Sequence, residues 1–164
     1  MLIAIASDIH DNKRNLRRAM AQAQAEGCSR LLFLGDVESP ATFALLRSLW
    51  PHELDAVPGN NDYPRESFRE FAAQHPQTHY HEGSADLLID GRHIYMTHEP
   101  YNGVRFAAES GDYDLVLYGH THRPHLERAG NTIVANPGDL QGRYGEPSFA
   151  VYDTGAHSLR HVPL

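Results

Sequence analysis

Short apolar segments alternate with helical patterns through the first half of the sequence, and few folds accommodate that order. The apolar segments predict buried strands at residues 2–7, Leu31–Leu34 and Leu54–Val57. Between and after them, apolar residues recur at helical spacing and predict helices at about Asn12–Glu26, Ser39–Trp50 and 64–74. A β-α-β-α-β-α order requires crossover connections, so these strands are expected to form a parallel sheet covered by helices.

Three hairpin signals dominate the second half of the sequence. Asp90-Gly91, Gly130-Asn131 and Thr154-Gly155 each separate two apolar segments of strand length. A helix near residues 103–110 and a strand at Leu115–Tyr118 are predicted between the first two hairpins. Hairpins imply antiparallel pairing, so we expect a second, antiparallel sheet that packs face to face with the first, with helices outside.

Length, charge and cysteine content narrow the class of protein. The 164 residues fit a single domain, and the net charge of −7 disfavours strong nucleic-acid binding through a basic face. No apolar run approaches the roughly 18 residues of a membrane helix. The first apolar segment ends at Asp8, too early for a signal peptide, so we expect a cytoplasmic protein. Cys28 is the only cysteine, which excludes an intrachain disulfide and a cysteine-based zinc site.

Polar side chains follow five of the predicted strands, at the point where each strand ends. Ligands of open α/β sheets bind at the carboxyl ends of strands, so these groups are expected to meet at one edge. Each segment alone has an ordinary explanation as a helix cap or turn, but the five in this order indicate a metal site. The segments are Asp8-Ile9-His10, Gly35-Asp36, Gly59-Asn60-Asn61-Asp62, Thr97-His98 and Gly119-His120-Thr121-His122.

This ordered set resembles the motifs of the calcineurin-like metallophosphoesterases, from Leu2 to about Gly138. The size of the chain and the Asn136-Pro137-Gly138 segment resemble the small bacterial and archaeal phosphodiesterase branch, which also includes the eukaryotic retromer scaffold subunit. The resemblance implies an α/β fold, a four-layer α/β/β/α sandwich of two mixed β-sheets flanked by helices. It also implies one domain over residues 1–164.

The resemblance further implies two divalent metal ions and their ligands. Two carboxylates and four neutral imidazoles leave a net charge of about +2, which suits a phosphate ester and its transition state. Two ions about 3.5–4 Å apart can clamp a phosphoryl group and generate a hydroxide at neutral pH. Such mixed ligands suit Mn, Fe, Zn, Co or Ni better than Mg or Ca, and we expect manganese. One ion is expected on Asp8, His10 and His122, the other on Asn60, His98 and His120, with Asp36 bridging them.

We therefore expect a dinuclear-metal phosphodiesterase acting on small phosphodiesters or nucleotide-like compounds, with Asp36, Asn60, Asn61 and His98 as catalytic residues. The alternatives are a phosphomonoesterase and a metal-binding interaction scaffold with little catalysis. A decayed scaffold need not keep every ligand, so the complete ligand set favours an enzyme. The hairpins and strand edges are compatible with a homo-oligomer but do not specify one.

The sequence departs from the family pattern at several positions. Many members have His directly after the ligand Asn, whereas Asn61 has no proton of useful pKa for the leaving group. Acidic residues also stand where small residues are usual, and they are expected to lower affinity for a polyanion; these are Asp11, Glu99 and Asp139. Candidates for binding phosphate oxygens are Arg123, Arg143 and Tyr144.

Overall fold

Eleven strands and four helices follow one another in the computed structural model, which describes residues 1–164. In the first half they are β1 (Leu2–Ala6), α1 (Lys13–Ala25), β2 (Arg30–Phe33), α2 (Pro40–Leu49), β3 (Glu53–Ala56), α3 (Arg65–Ala73) and β4 (Thr78–Tyr80). In the second half they are β5 (Ser84–Ile89), β6 (Arg92–Thr97), α4 (Val104–Ser110), β7 (Leu115–Leu117), β8 (His125–Ala129), β9 (Thr132–Asn136), β10 (Ser148–Asp153) and β11 (Ser158–Pro163).

Both sheets are mixed. The first has six strands in the order β11-β10-β1-β2-β3-β4, in which β1 to β4 are parallel and the β10–β11 hairpin pairs antiparallel with β1. The second has five strands in the order β5-β6-β7-β9-β8. Its three central strands are parallel and its two edge strands are antiparallel to their neighbours. The expected α/β fold with two mixed sheets is thus confirmed.

Three apolar clusters bind the layers together. A cluster of 16 buried residues fills the space between the sheets, with Ile5 and Leu32 from the first sheet against Met96 and Leu117 from the second. A second cluster of 21 residues packs α1, α2 and α3 on the outer face of the first sheet. A smaller one joins α4 to β7 and β9 on the outer face of the second. The order of layers is therefore helices, sheet, sheet and helix.

Side chains at two helix starts explain where the helices begin. Asn12 accepts a hydrogen bond from the backbone N–H of Asn15 at 3.2 Å, and Ser39 accepts one from Thr42 at 3.2 Å. Such bonds satisfy backbone donors that have no partner within the helix. Pro40 occupies the first position of α2, where its missing N–H costs nothing. None of the four helices has the length and apolar character that a membrane span requires.

The structure differs from the sequence-based expectation in three places. Strand β4 was not predicted, because its three residues lie at the sheet edge and only Thr78 is buried. The hairpins alone indicate an antiparallel second sheet, but that sheet is mixed, as the family resemblance implies, since β6, β7 and β9 are joined by crossovers. The third hairpin joins the first sheet, where it covers the otherwise open edge of β1.

Candidate metal centre

The polar segments that follow β1, β2, β3, β6 and β7 meet at one edge of the two sheets. Every site residue predicted from the sequence lies there: Asp8, His10, Asp36, Asn60, Asn61, His98, His120 and His122. The predicted strand ends therefore place these side chains together, and the distances between their polar atoms divide most of them into two groups.

Asp8, His10 and His122 form the first group. His122 Nε2 lies 3.4 Å from Asp8 Oδ1, and His10 Nε2 lies 3.9 Å from the same oxygen. The two imidazole rings are stacked, with centroids 5.1 Å apart. Asp8 Oδ1 and His10 Nε2 are both buried without a hydrogen-bond partner. Buried polar atoms are rarely left so, and a divalent cation between these donors would satisfy both.

Asn60, His98 and His120 form the second group. Asn60 Oδ1 lies 3.0 Å from His98 Nε2 and 2.9 Å from His120 Nδ1, and the two nitrogens are 3.3 Å apart. His98 Nδ1 lies 2.6 Å from the carbonyl oxygen of Leu34. Since a carbonyl only accepts, Nδ1 carries the proton, which leaves the lone pair of a neutral His98 on Nε2. Three potential ligand atoms thus converge on one point.

Asp36 lies between the two groups. Its Oδ2 is 3.5 Å from His10 Nε2 and 3.4 Å from His98 Nε2. Asn61 donates to both carboxylate oxygens at 2.8 Å, from its backbone N–H to Oδ1 and from its side-chain amide to Oδ2. Burial acts to raise the pKa of Asp36, but the hydrogen bonds and charge of His98 and the bonds from Asn61 hold it below its usual range. The carboxyl is therefore ionised at neutral pH.

Asp8 is the most buried acid of the site. Its Oδ2 accepts hydrogen bonds from Ser7 Oγ at 2.5 Å and from the His120 backbone N–H at 2.9 Å, while Oδ1 stays unpaired. Burial raises the pKa of Asp8 above its ordinary value. A neighbouring cation favours the charged form of a buried carboxyl. The donor groups, the unpaired Asp8 Oδ1 and His10 Nε2 atoms, and the negative charge of a buried carboxylate therefore fit a divalent metal ion.

Two further carboxylates hold the imidazoles of the first group. Asp139 Oδ2 lies 2.8 Å from His122 Nδ1, and Glu38 Oε2 lies 3.2 Å from His10 Nδ1. Both contacts leave the Nε2 atoms for the centre, as is usual for metal-binding histidines. The Asp139 carboxylate is buried, and it also accepts hydrogen bonds from the backbone N–H groups of Gly142 and Arg143.

The supporting roles of these carboxylates were missed by sequence reasoning. Asp62, also buried, accepts hydrogen bonds from the N–H groups of Asp36, Gly59 and Glu38 at 2.7–2.9 Å and so fixes two loops. Glu99 accepts from the Tyr101 hydroxyl and the Asn102 amide. Partners such as His122 and Asp139 follow no recognisable spacing, so only the folded chain shows them.

Backbone strain is concentrated at the same edge. Five of the seven candidate ligands have positive φ angles, from 43° to 65°: Asp8, His10, Asp36, His120 and His122. Non-glycine residues adopt such angles at a cost, and they cluster at functional sites. A Cβ on Gly59 would overlap the Asp36 carboxylate, and one on Gly119 would overlap Ser7. The glycines in these motifs therefore allow the loops to approach closely.

The centre opens into a cleft of about 240 Å³, which Arg143 and Tyr144 also line. Two larger cavities flank this cleft. One of about 380 Å³ contains Asn60 and His98 together with Tyr63 and Arg65. The other, of about 550 Å³, contains His122, Arg123 and Tyr144. The donor groups thus lie between two open spaces.

Comparison with known proteins gives relatives over the whole chain. Residues 1–157 match the calcineurin-like phosphoesterase superfamily domain. The chain is 30% identical to phosphodiesterase MJ0936 of Methanocaldococcus jannaschii, over 100% of this chain and 99% of that protein.

Solved structures show the same fold. The structure of an archaeal phosphodiesterase, 29% identical, superposes with a TM-score of 0.93 over 100% of both chains. Vps29 of Entamoeba histolytica, 17% identical, has a TM-score of 0.70 over 100% of this chain and 99% of its own, which shows a shared fold alone. With the matched domain covering almost the whole sequence, the chain belongs to the calcineurin-like phosphoesterase superfamily.

Proposed function

We propose that this chain is a dinuclear-metal phosphodiesterase that hydrolyses small phosphodiester or nucleotide-like substrates. The observation that carries the proposal is the convergence of seven potential ligands in two groups, with Asp36 within 3.5 Å of a histidine of each. The superfamily supports a phosphoric ester hydrolase, and the relative at 30% identity is named a phosphodiesterase.

In this proposal one ion is held by the first group and the other by the second, with Asp36 between them. The mixed imidazole and oxygen ligands favour manganese, with iron, zinc, cobalt and nickel as alternatives. When bound, such ions stabilise the charge of a phosphoryl group and activate water at neutral pH.

The protein side chains then have separate tasks. Asn61 holds the Asp36 carboxylate by two hydrogen bonds. Asn60 and His98, both in the second group of ligands, line the cavity of about 380 Å³. In this proposal they lie beside the phosphoryl group of the substrate. No imidazole follows Asn60, and the Asn61 amide cannot supply a proton to the leaving group. Good leaving groups are therefore favoured.

The cavities favour a diester over a monoester. A monoester carries one organic arm, whereas a diester extends from phosphorus in two directions. The centre has open space on both sides, one cavity meeting it at Asn60 and His98 and the other at His122. A diester can occupy both spaces while its phosphoryl group lies in the central cleft.

The test is a metal and substrate panel. The purified protein is analysed for bound metal and assayed with bis(p-nitrophenyl) phosphate and p-nitrophenyl phosphate under added Mn, Ni, Co, Zn or Mg. We expect faster hydrolysis of the diester with at least one ion of the transition series. Faster hydrolysis of the monoester would favour a phosphomonoesterase. Bound metal without hydrolysis of either would favour the scaffold.

The proposal also includes location and partners. We place the protein in the cytoplasm, in keeping with its single, buried and unpaired cysteine, Cys28. Its partner is a small phosphate ester; the acidic net charge does not suit strong nucleic-acid binding. A homo-oligomer would pair through the edge strands β4, β5, β8 or β11.

A further inference from the structure

Two arginines meet at one tyrosine on the rim of the central cleft. The guanidinium carbons of Arg123 and Arg143 lie 5.5 and 5.3 Å from the centre of the Tyr144 ring. The Tyr144 ring stands nearly perpendicular to the ring of His122, with centroids 5.9 Å apart. Cation–π attraction keeps both guanidiniums near the tyrosine. The pair is thus anchored beside a candidate metal ligand.

Neither guanidinium is neutralised within the protein. Arg123 and Arg143 make no side-chain ion pair or hydrogen bond, although the chain carries a net charge of −7. Other arginines do bind carboxylates, namely Arg30, Arg69, Arg92, Arg105 and Arg160. These two unpaired guanidiniums flank one tyrosine ring, with Arg123 lining the cavity beside His122 and Arg143 lining the central cleft, and they offer a site for an anion.

The loop that carries Arg143 is tied to the metal centre. Asp139 accepts hydrogen bonds from the backbone N–H groups of Gly142 at 3.2 Å and Arg143 at 2.9 Å. The same carboxylate lies 2.8 Å from His122 Nδ1. The position of the arginine backbone is therefore fixed relative to His122, as a substrate-binding loop requires.

The acidic residues that line the cavity beside His122 do not prevent an anion from binding there. Its acidic residues are Asp139 and Glu146. Asp139 is buried, and its oxygens are engaged by His122 and the loop backbone. Glu146 is exposed and opposes the two arginines with one negative charge. His161 is also present, with its Nε2 bound to the carbonyl oxygen of Asn136.

We propose that Arg123 and Arg143 bind a second anionic group of the substrate, carried on the ester arm that enters the cavity beside His122. This inference rests on the proposed function and narrows its substrate class to phosphodiesters with a further phosphate on that arm, as in a nucleotide with a second phosphate. Guanidiniums bind phosphate oxygens through paired hydrogen bonds, which neutral arms cannot offer.

A matched pair of substrates tests this. The p-nitrophenyl ester of thymidine 5′-phosphate is compared with the same ester carrying a 3′-phosphate, on protein loaded with the most active metal. We expect the 3′-phosphate to lower KM by about tenfold with kcat changed less than about threefold, as for charge-assisted hydrogen bonds. Arg123→Ala and Arg143→Ala should each raise KM for the phosphorylated ester by a larger factor than for the plain ester. Arg143→Lys should restore part of the preference.

Arg17→Ala is the matched control, because Arg17 is an exposed arginine on α1 without a carboxylate partner. Equal KM values for the two esters, or a preference that survives in the Arg123→Ala/Arg143→Ala double variant, would overturn the inference while leaving the phosphodiesterase intact. If neither ester is hydrolysed, the proposed function fails. In that case, calorimetry with thymidine 3′,5′-bisphosphate tests the arginine subsite by binding alone. Loss of binding in the double variant supports the subsite, and binding as tight as in the wild type overturns it.

Discussion

Asp36 contacts His10 and His98 through the same carboxylate oxygen, so one substitution probes both groups of ligands. Asp36→Asn removes a negative charge and replaces an oxygen shared between the groups. We expect kcat/KM for the diester to fall by at least about a hundredfold, as for loss of a major electrostatic element. Asp112→Asn, at an exposed position away from the centre, is the control. Activity within a few-fold of wild type at unchanged metal content would contradict the assignment of Asp36 as the bridging ligand.

Asp139 contacts the candidate metal centre through His122. Asp139→Ala removes the carboxylate that lies 2.8 Å from His122 Nδ1, whereas Asp139→Asn keeps an accepting oxygen. We expect metal affinity at the first group to fall by about 10–100-fold in the alanine variant and by less in the asparagine variant. Calorimetric titration of the metal-free proteins measures this. Equal affinities in all three folded proteins would show that Asp139 serves the loop alone.

At the residue scale, the sequence predicts the candidate ligands better than their surroundings. Asp8, His10 and the Gly-His-Thr-His segment were predicted because strand ends deliver side chains to one edge whatever the details of packing. The supporting contacts of Glu38 and Asp62 were not predicted, because they depend on how loops from different strands meet. The acidic Asp139 was expected to repel a polyanion, yet its carboxylate is buried against His122.

Among the elements, β2, β3 and the end of β4 are joined by one buried carboxylate. Asp55 on β3 accepts hydrogen bonds from Arg30 on β2 at 2.7–2.8 Å and lies 3.0 Å from His81, just past β4. Burial acts to raise the pKa of Asp55, but the bonds and charges of His81 and Arg30 hold it below its ordinary value. A folded-state pKa below the unfolded one means that ionised Asp55 stabilises the fold.

This stabilisation is complete above the unfolded pKa of about 4 and fades as the pH falls through the lower folded value. We therefore expect Asp55→Asn to lower the free energy of unfolding by about 2 kcal/mol at pH 7, and by progressively less below about pH 4. Urea unfolding from pH 7 to pH 3 measures the difference, with Asp112→Asn as control. A difference in the free energy of unfolding between wild type and Asp55→Asn that stays constant with pH would contradict the ionic contribution of Asp55.

Elements with a strong periodic pattern are predicted well from the sequence, whereas the pairing of strands within the sheets is predicted less well. Helix α1 buries the predicted stripe of Leu16, Ala19, Met20 and Ala23, because its only large apolar side chains lie on that face. Strand β10 is buried on both faces, so its sequence does not indicate a neighbour, and it pairs with β1 across more than 140 residues of chain. Sheet membership is decided by long-range packing, which local patterns do not contain.

For the whole molecule, we propose that residues 1–164 form one domain, since the apolar layer between the sheets draws side chains from both halves of the chain. The candidate metal centre lies where those halves meet, because Asp8, His10, Asp36 and Asn60 come from the first half and the other candidate ligands from the second. Bound metal would therefore stabilise the contact between them.

This stabilisation should depend on pH. Imidazoles bind metal when neutral, so protons compete with the ions for the four histidines as the pH falls. Metal that binds only the folded state raises its stability by mass action. We expect a chelator to lower the melting temperature of the metal-loaded protein more at pH 8 than at pH 5.5. The same shift at both values, or no shift at either, would contradict a site built on four histidines.

Anomalous scattering from crystals grown with manganese locates the ions directly. Data collected on both sides of the manganese absorption edge distinguish this metal from any other. We predict two peaks, one among Asp8, His10 and His122 and one among Asn60, His98 and His120, with the Asp36 carboxylate between them. A single peak, or peaks away from these side chains in crystals saturated with manganese, would contradict the dinuclear centre.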